Sequence, residues 1–167
     1  SVAISVTSNG VLTVNGGMTH SAGAIVNNGL VQVNGLSLVG GTLHGPGPFL
    51  LSGSSVWNVS PGMGNSGSLS ISNGADFTIA SDIDHNILGW TWTNSGTILH
   101  TSGRIRGGYG FSIYNYGLWQ EQTDRDFNND YGGAASSFNN FGAFQKSVAT
   151  GGTRFLGGFP VNNAGAF

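Results

Sequence analysis

The chain has 167 residues, of which 30 are glycine and only 7% are charged, with a net charge of −2 and no cysteine. That balance excludes a nucleic-acid binder, which needs a basic patch, and it removes disulfides and thiolate metal sites. Hydrophobic residues at 38% and aromatics at 11% exclude a disordered chain, and no apolar run approaches the ~20 residues of a membrane-spanning helix.

Short strands separated by tight turns are the elements such a composition supports, and each begins after a glycine. In chain order they read "SNGVLTV" (Gly10), "NNGLVQV" (Gly29), the degenerate "GPGPFLL" (Gly47), "NSGSLSI" (Gly67), "NSGTILH" (Gly96), "NYGLWQE" (Gly117), "NFGAFQK" (Gly142) and "NAGAF" (Gly165). The glycines are 19, 18, 20, 29, 21, 25 and 23 residues apart, a wandering period that marks a solenoid with variable loops. Two positions after each glycine stands an apolar residue: Leu12, Val31, Phe49, Leu69, Ile98, Trp119, Phe144 and Phe167. Four positions after it come Val14, Val33, Leu51 and Ile71, and then His100, Glu121 and Lys146. A spacing of two places the first two sets on one strand face, the inward one. The last three predict a wetter end to the later strands, with Glu121 and Lys146 an exposed pair on neighbouring coils.

Two positions before the glycine, asparagine recurs at Asn27, Asn65, Asn94, Asn115, Asn140 and Asn163. Asn and Gly tolerate positive φ, so Asn-x-Gly predicts a fixed turn. If such turns stack at the ~4.8 Å strand spacing, each amide donates to one neighbour and accepts from the other, which makes an asparagine ladder. A β-sandwich also has short strands and frequent turns, but it does not require one column of asparagine and another of apolar residues. The fold class predicted is therefore all-β: a right-handed parallel β-helix of about seven to eight coils, one β-solenoid domain over residues 1–167, with almost no helix.

The segments "FNNFGAFQKSVATGGTRFLGGFPVNNAGAF" (138–167), "GGTLHGPGPFLLSG" (40–53) and "NSGTILHTSGRIRGG" (94–108) resemble a repeat family of long secreted bacterial surface proteins. That family alternates F-N-N-x-G-T-F-x-K-S-G-G and G-T-L-x-G-x-G units. The resemblance implies a β-solenoid passenger, an extracellular or cell-surface location, and work as a stalk, adhesin or surface-layer component. No cofactor is expected apart from the Ca²⁺ that the acidic stretches could hold.

Acids gather in two stretches, "ADFTIASDIDHNILGW" (75–90) and "EQTDRDFNND" (121–130), which the repeat spacing predicts to be extruded loops. Asp82, Asp84, Asp124 and Asp126 are candidate Ca²⁺ ligands because oxygen donors alternate there. With Arg104, Arg106 and Arg125, the same acids are the raw material for a polysaccharide lyase or hydrolase. Trp90, Trp92, Tyr114 and Tyr116 are candidate glycan-stacking rings. "SVAISV" opens without a charge, and "NNAGAF" joined to it reads as unbroken repeat. The expected partner is therefore another coil: the same rod continued, or a second copy end to end. The function expected is structural, not enzymatic, with glycan binding as the second reading.

Overall fold

The computed structural model describes residues 3–58, 62–64 and 66–167. Apolar and polar residues alternate over runs of two to five residues, too short for a helix turn to repeat, and each run forms a strand with one face buried. The strands follow the chain around a three-faced coil. The first coil is β1 (Ala3–Val6), β2 (Val11–Val14) and β3 (Met18–His20); the second is β4 (Ala24–Asn27), β5 (Leu30–Asn34) and β6 (Leu36–Leu38). The third is β7 (Thr42–His44), β8 (Pro48–Ser52) and β9 (Ser54–Trp57), and the fourth has β10 (Gly67–Ile71) and β11 (Asp76–Ile79). Next come β12 (His85–Leu88), β13 (Trp90–Asn94) and β14 (Thr97–His100), then β15 (Ile105–Gly108), β16 (Ser112–Asn115) and β17 (Leu118–Glu121). The rod closes with β18 (Phe127–Asn128), β19 (Ser137–Asn140) and β20 (Ala143–Lys146), followed by β21 (Phe155–Leu156) and β22 (Val161–Asn163).

Every pairing between these strands is parallel and joins one coil to the next. The second face is continuous, β2-β5-β8-β10-β13-β16-β19-β22, and the third runs from β3 to β20. On the first face, Met63 bridges Leu43 and Ile87 and so links β7 to β12. The fold is an all-β parallel solenoid of about seven turns, and there is no helix among the described residues.

Burial follows the pleat. On the second face Leu12, Val31, Phe49, Leu69, Trp92, Ile113, Phe138 and Val161 stack in register. On the third, Phe77, Ile98, Trp119 and Phe144 do the same. Their rings interlock edge to face, as Trp92 does with Phe77 and Phe111, and Trp119 with Phe138.

The single apolar column expected from the repeat is thus two columns on two faces. Copies after Gly10, Gly29, Gly47 and Gly67 form second-face strands, whereas copies after Gly96, Gly117 and Gly142 form third-face strands. The cause is the long interval between Gly67 and Gly96. Gly67 pairs with Trp90, a step of 23 residues, so the remaining length to Gly96 is one further strand and the motif has moved to the next corner. Residues 75–90 are accordingly no extruded loop. They form β11 and β12 and the turn between them, with Phe77, Ile79, His85 and Ile87 in the core.

Candidate functional site: an amide ladder and an ion-pair corner

The second corner joins the second face to the third. Asn94, Asn115, Asn140 and Asn163 end β13, β16, β19 and β22 and pair in register. Nδ2 of Asn94 donates to Oδ1 of Asn115, Asn115 to Asn140 and Asn140 to Asn163, each at 2.7 Å. Each Nδ2 donates again to a carbonyl of the next coil, Leu118, Ala143 or Ala166. The first three asparagines are fully buried, so these bonds replace all contact with water.

The predicted ladder holds for those four residues and not for Asn27. Asn27 ends β4 at the first corner, a different edge of the rod, where its amide donates to the Pro48 carbonyl and its oxygen accepts from Gly29 N–H. Gly45 occupies the place of the next rung there, and Asn65 lies outside the described residues. On the second corner the inward position is filled in earlier coils by Val14, Val33, Leu51 and Ile71, and Ile71 pairs directly with Asn94. One column therefore turns from apolar to amide midway along the rod.

The repeat glycines have a reason other than the expected positive φ. Gly96, Gly117, Gly142 and Gly165 are absent from the positive-φ residues. A Cβ at Gly117 would run into the Gly96 carbonyl oxygen, and one at Gly142 into that of Gly117. The turns nest too closely for any side chain.

The third corner returns the chain to the first face and carries most of the charge. Asp84, Arg104, Asp126 and Arg154 each stand one residue before the paired positions His85, Ile105, Phe127 and Phe155. Signs therefore alternate along the rod. Arg104 holds Asp84 through Nε at 2.8 Å and Nη2 at 2.6 Å, and Arg154 holds Asp126 at 2.9 and 2.7 Å. Beside them Arg125 pairs with Asp82, Lys146 with Asp124, and Arg106 with Asp130 and Asp84. The Arg106 guanidinium also lies 4.9 Å from the centre of the Tyr131 ring. The hydrogen bonds from Arg104 and Arg154 hold the Asp84 and Asp126 carboxyls below the usual range, against a smaller opposing push from burial. Ser102 and Arg125 do the same for Asp82, and Lys146 for Asp124.

The expected Ca²⁺ ligands form two sets, Asp82 with Asp84 and, two coils on, Asp124 with Asp126, and each of the four is paired with an arginine or lysine. Among the described residues no group of three or more acids and histidines is placed to hold a metal ion.

Trp90 and Trp92 correct the glycan expectation, since both are 0% exposed. They fall on the inward positions of β13, and Trp92 packs against Trp57, Phe77 and Phe111. Tyr114 is half-buried on the outer side of β16. Tyr116 is 55% exposed at the second corner and stacks at 5.0 Å on Phe141, itself 48% exposed.

His100 and Glu121 reverse the wet-strand expectation. They are 0% exposed, and His100 Nδ1 lies 2.8 Å from Glu121 Oε2. Glu121 does pair in register with Lys146, but its carboxylate turns inward to His100 and to Trp119 Nε1, while the Lys146 ammonium reaches Asp124 and the Thr123 carbonyl. The corner's signal in the sequence is a charge before His, Ile or Phe at 84, 104, 126 and 154, but Asp76 and Asp82 also precede Phe or Ile, so the coil lengths are needed to single it out.

His85 is buried against Trp57, and burial lowers its pKa from 6.5 to about 4. Between those values the unfolded chain binds the extra proton, so stability falls as pH drops from 6.5 towards 4. The shift is worth about 3 kcal/mol. Below 3.8 the aspartates take over, because stability from their lowered pKa is present above that value and lost beneath it. Urea midpoints measured from pH 7 to 3 should decline in these two stages, and His85→Phe should remove most of the first, leaving the lesser part that comes from His20, whose pKa burial also lowers.

A rod of parallel coils, stapled at one corner by amides and at another by ion pairs, is a β-solenoid. No protein-family model, curated protein or solved structure matches this chain.

Proposed function

We propose that the protein is a structural rod, an extracellular bacterial stalk, surface-layer or filament component assembled by stacking β-solenoid coils. One observation carries the reading: each of the five cations, Arg104, Arg106, Arg125, Lys146 and Arg154, pairs with an aspartate of the same rod. The groups that would grip an acidic substrate or activate a leaving group are thereby committed to holding coils together. The likeness of residues 138–167 and 40–53 to surface-protein repeats supports the location. Glycan binding is retained as a second reading because of the exposed Tyr116–Phe141 stack.

Electron microscopy of the purified chain and a glycan array test the two together. The structural reading expects rods that lengthen end to end and an array without signal. A monomer at high concentration whose glycan signal disappears in Tyr116→Ala would overturn it.

A further inference from the structure

Five Asn-Gly dipeptides occur in the chain, at Asn9, Asn15, Asn28, Asn34 and Asn73, all within the first 75 residues, where no side chain is charged. Sequence alone makes them equivalent candidates for asparagine's self-modification. In that reaction the backbone nitrogen of the following residue attacks the side-chain carbonyl carbon. The C–N bond of the amide breaks, ammonia leaves, and a cyclic imide forms. Water then opens the imide at either carbonyl and leaves aspartate or isoaspartate, so one amide and one water become one carboxylate and one ammonium. The attack needs a nitrogen free of hydrogen bonds and room for the side chain to fold back. Glycine favours it by putting no side chain in the way.

The structure separates the five. Gly10 N–H donates to the Thr7 carbonyl, Gly29 N–H to Asn27 Oδ1 and Gly35 N–H to the Ser52 carbonyl. All three glycines are also crowded by neighbouring atoms. Gly16 and Gly74 differ in both respects. Neither N–H has a partner among the described residues, and a Cβ built on either meets nothing within 4 Å. Asn15 and Asn73 are exposed, and their side-chain amides make no hydrogen bond among the described residues.

Both pairs lie on the second corner, in coils whose inward position is Val14 or Ile71. Further along that corner the asparagine has moved inward, its nitrogen is held by two acceptors, and Ser95, Tyr116, Phe141 or Ala164 follows it. We infer that Asn15 and Asn73 are the deamidation sites of the folded rod, the places where the uncharged half acquires negative charge with age, and that the ladder protects Asn94, Asn115 and Asn140.

The test is incubation of the folded chain at mildly alkaline pH and 37 °C, followed by chymotryptic mapping with electron-transfer fragmentation. Asn15 and Asn73 should convert at least about tenfold faster than Asn9, Asn28 and Asn34, because local structure restrains the last three. In urea all five should convert alike. Asn15→Gln/Asn73→Gln should abolish the early acidic forms on ion exchange. Equal rates at all five in the folded chain, or conversion of Asn115 alongside Asn73, would overturn the inference.

Discussion

Asn115→Asp should destabilise the rod by about 3 kcal/mol or more at neutral pH, well beyond its one-atom change. Asn115 Nδ2 faces two acceptors, Oδ1 of Asn140 at 2.7 Å and the Ala143 carbonyl at 2.9 Å. An aspartate puts oxygen against both, at a position with no solvent to relieve the charge. Its Oδ1 still accepts from Asn94, so the loss is confined to the donating side. Acidification restores one O–H donor, which means the variant should recover part of its stability between pH 7 and 5 while the parent loses some through His85. Asn163→Ala, at the exposed end of the ladder, should cost only about 1 kcal/mol. Denaturant midpoints across pH settle both points. Equal stability of Asn115→Asp and the parent would mean that the ladder contributes little.

Glu121→Ala should cost about 3–5 kcal/mol, as much as truncating one of the buried tryptophans, because it strands a buried partner. His100 Nε2 lies 2.8 Å from the Gly103 carbonyl and must carry a proton there. The 2.8 Å contact between Nδ1 and Glu121 Oε2 needs a second proton on one of the two atoms, so the pair is neutral as a unit. Removing the carboxylate leaves the imidazole nitrogen and Trp119 Nε1 without partners in a sealed core. Glu121→Gln keeps the volume and an amide to hydrogen-bond, and should lose less. The double variant His100→Leu/Glu121→Leu should cost less than Glu121→Ala alone, since it also removes the stranded imidazole and refills the space with apolar side chains. Urea unfolding of the singles and the double gives the coupling directly; additive losses would contradict a linked pair.

The repeat made the solenoid legible because apolar residues at spacing two and asparagine before glycine are consequences of stacking itself. Asn94, Asn115 and Asn140 were readable to the hydrogen bond. Face assignment was not, because Asn-x-Gly serves two different corners, and a jump of one strand between Gly67 and Gly96 leaves the motif looking unchanged. For the same reason His100 and Glu121 looked solvent-exposed: they were aligned with Val14 and Ile71, whereas their true column is Ile79, His100, Glu121 and Lys146 on the third face. Trp90 and Trp92 escaped because they belong to β13, whose preceding turn at Gly89 lacks the asparagine. The ion-pair corner was visible as single acids and arginines, but their alternation along the axis emerges only when coil lengths are known.

The stacking of coils is tested most directly by the distance between spin labels on Thr13→Cys and Asn162→Cys, which the absence of native cysteine makes clean. Both residues lie in one outward column of the second face, linked through Gln32, Leu50, Ser70, Thr93, Tyr114 and Asn139. Seven steps at the strand spacing predict a separation of roughly 34 Å with a narrow distribution. A separation under about 20 Å, as two strands packed face to face across a sandwich would give, contradicts the rod and all that is built on it.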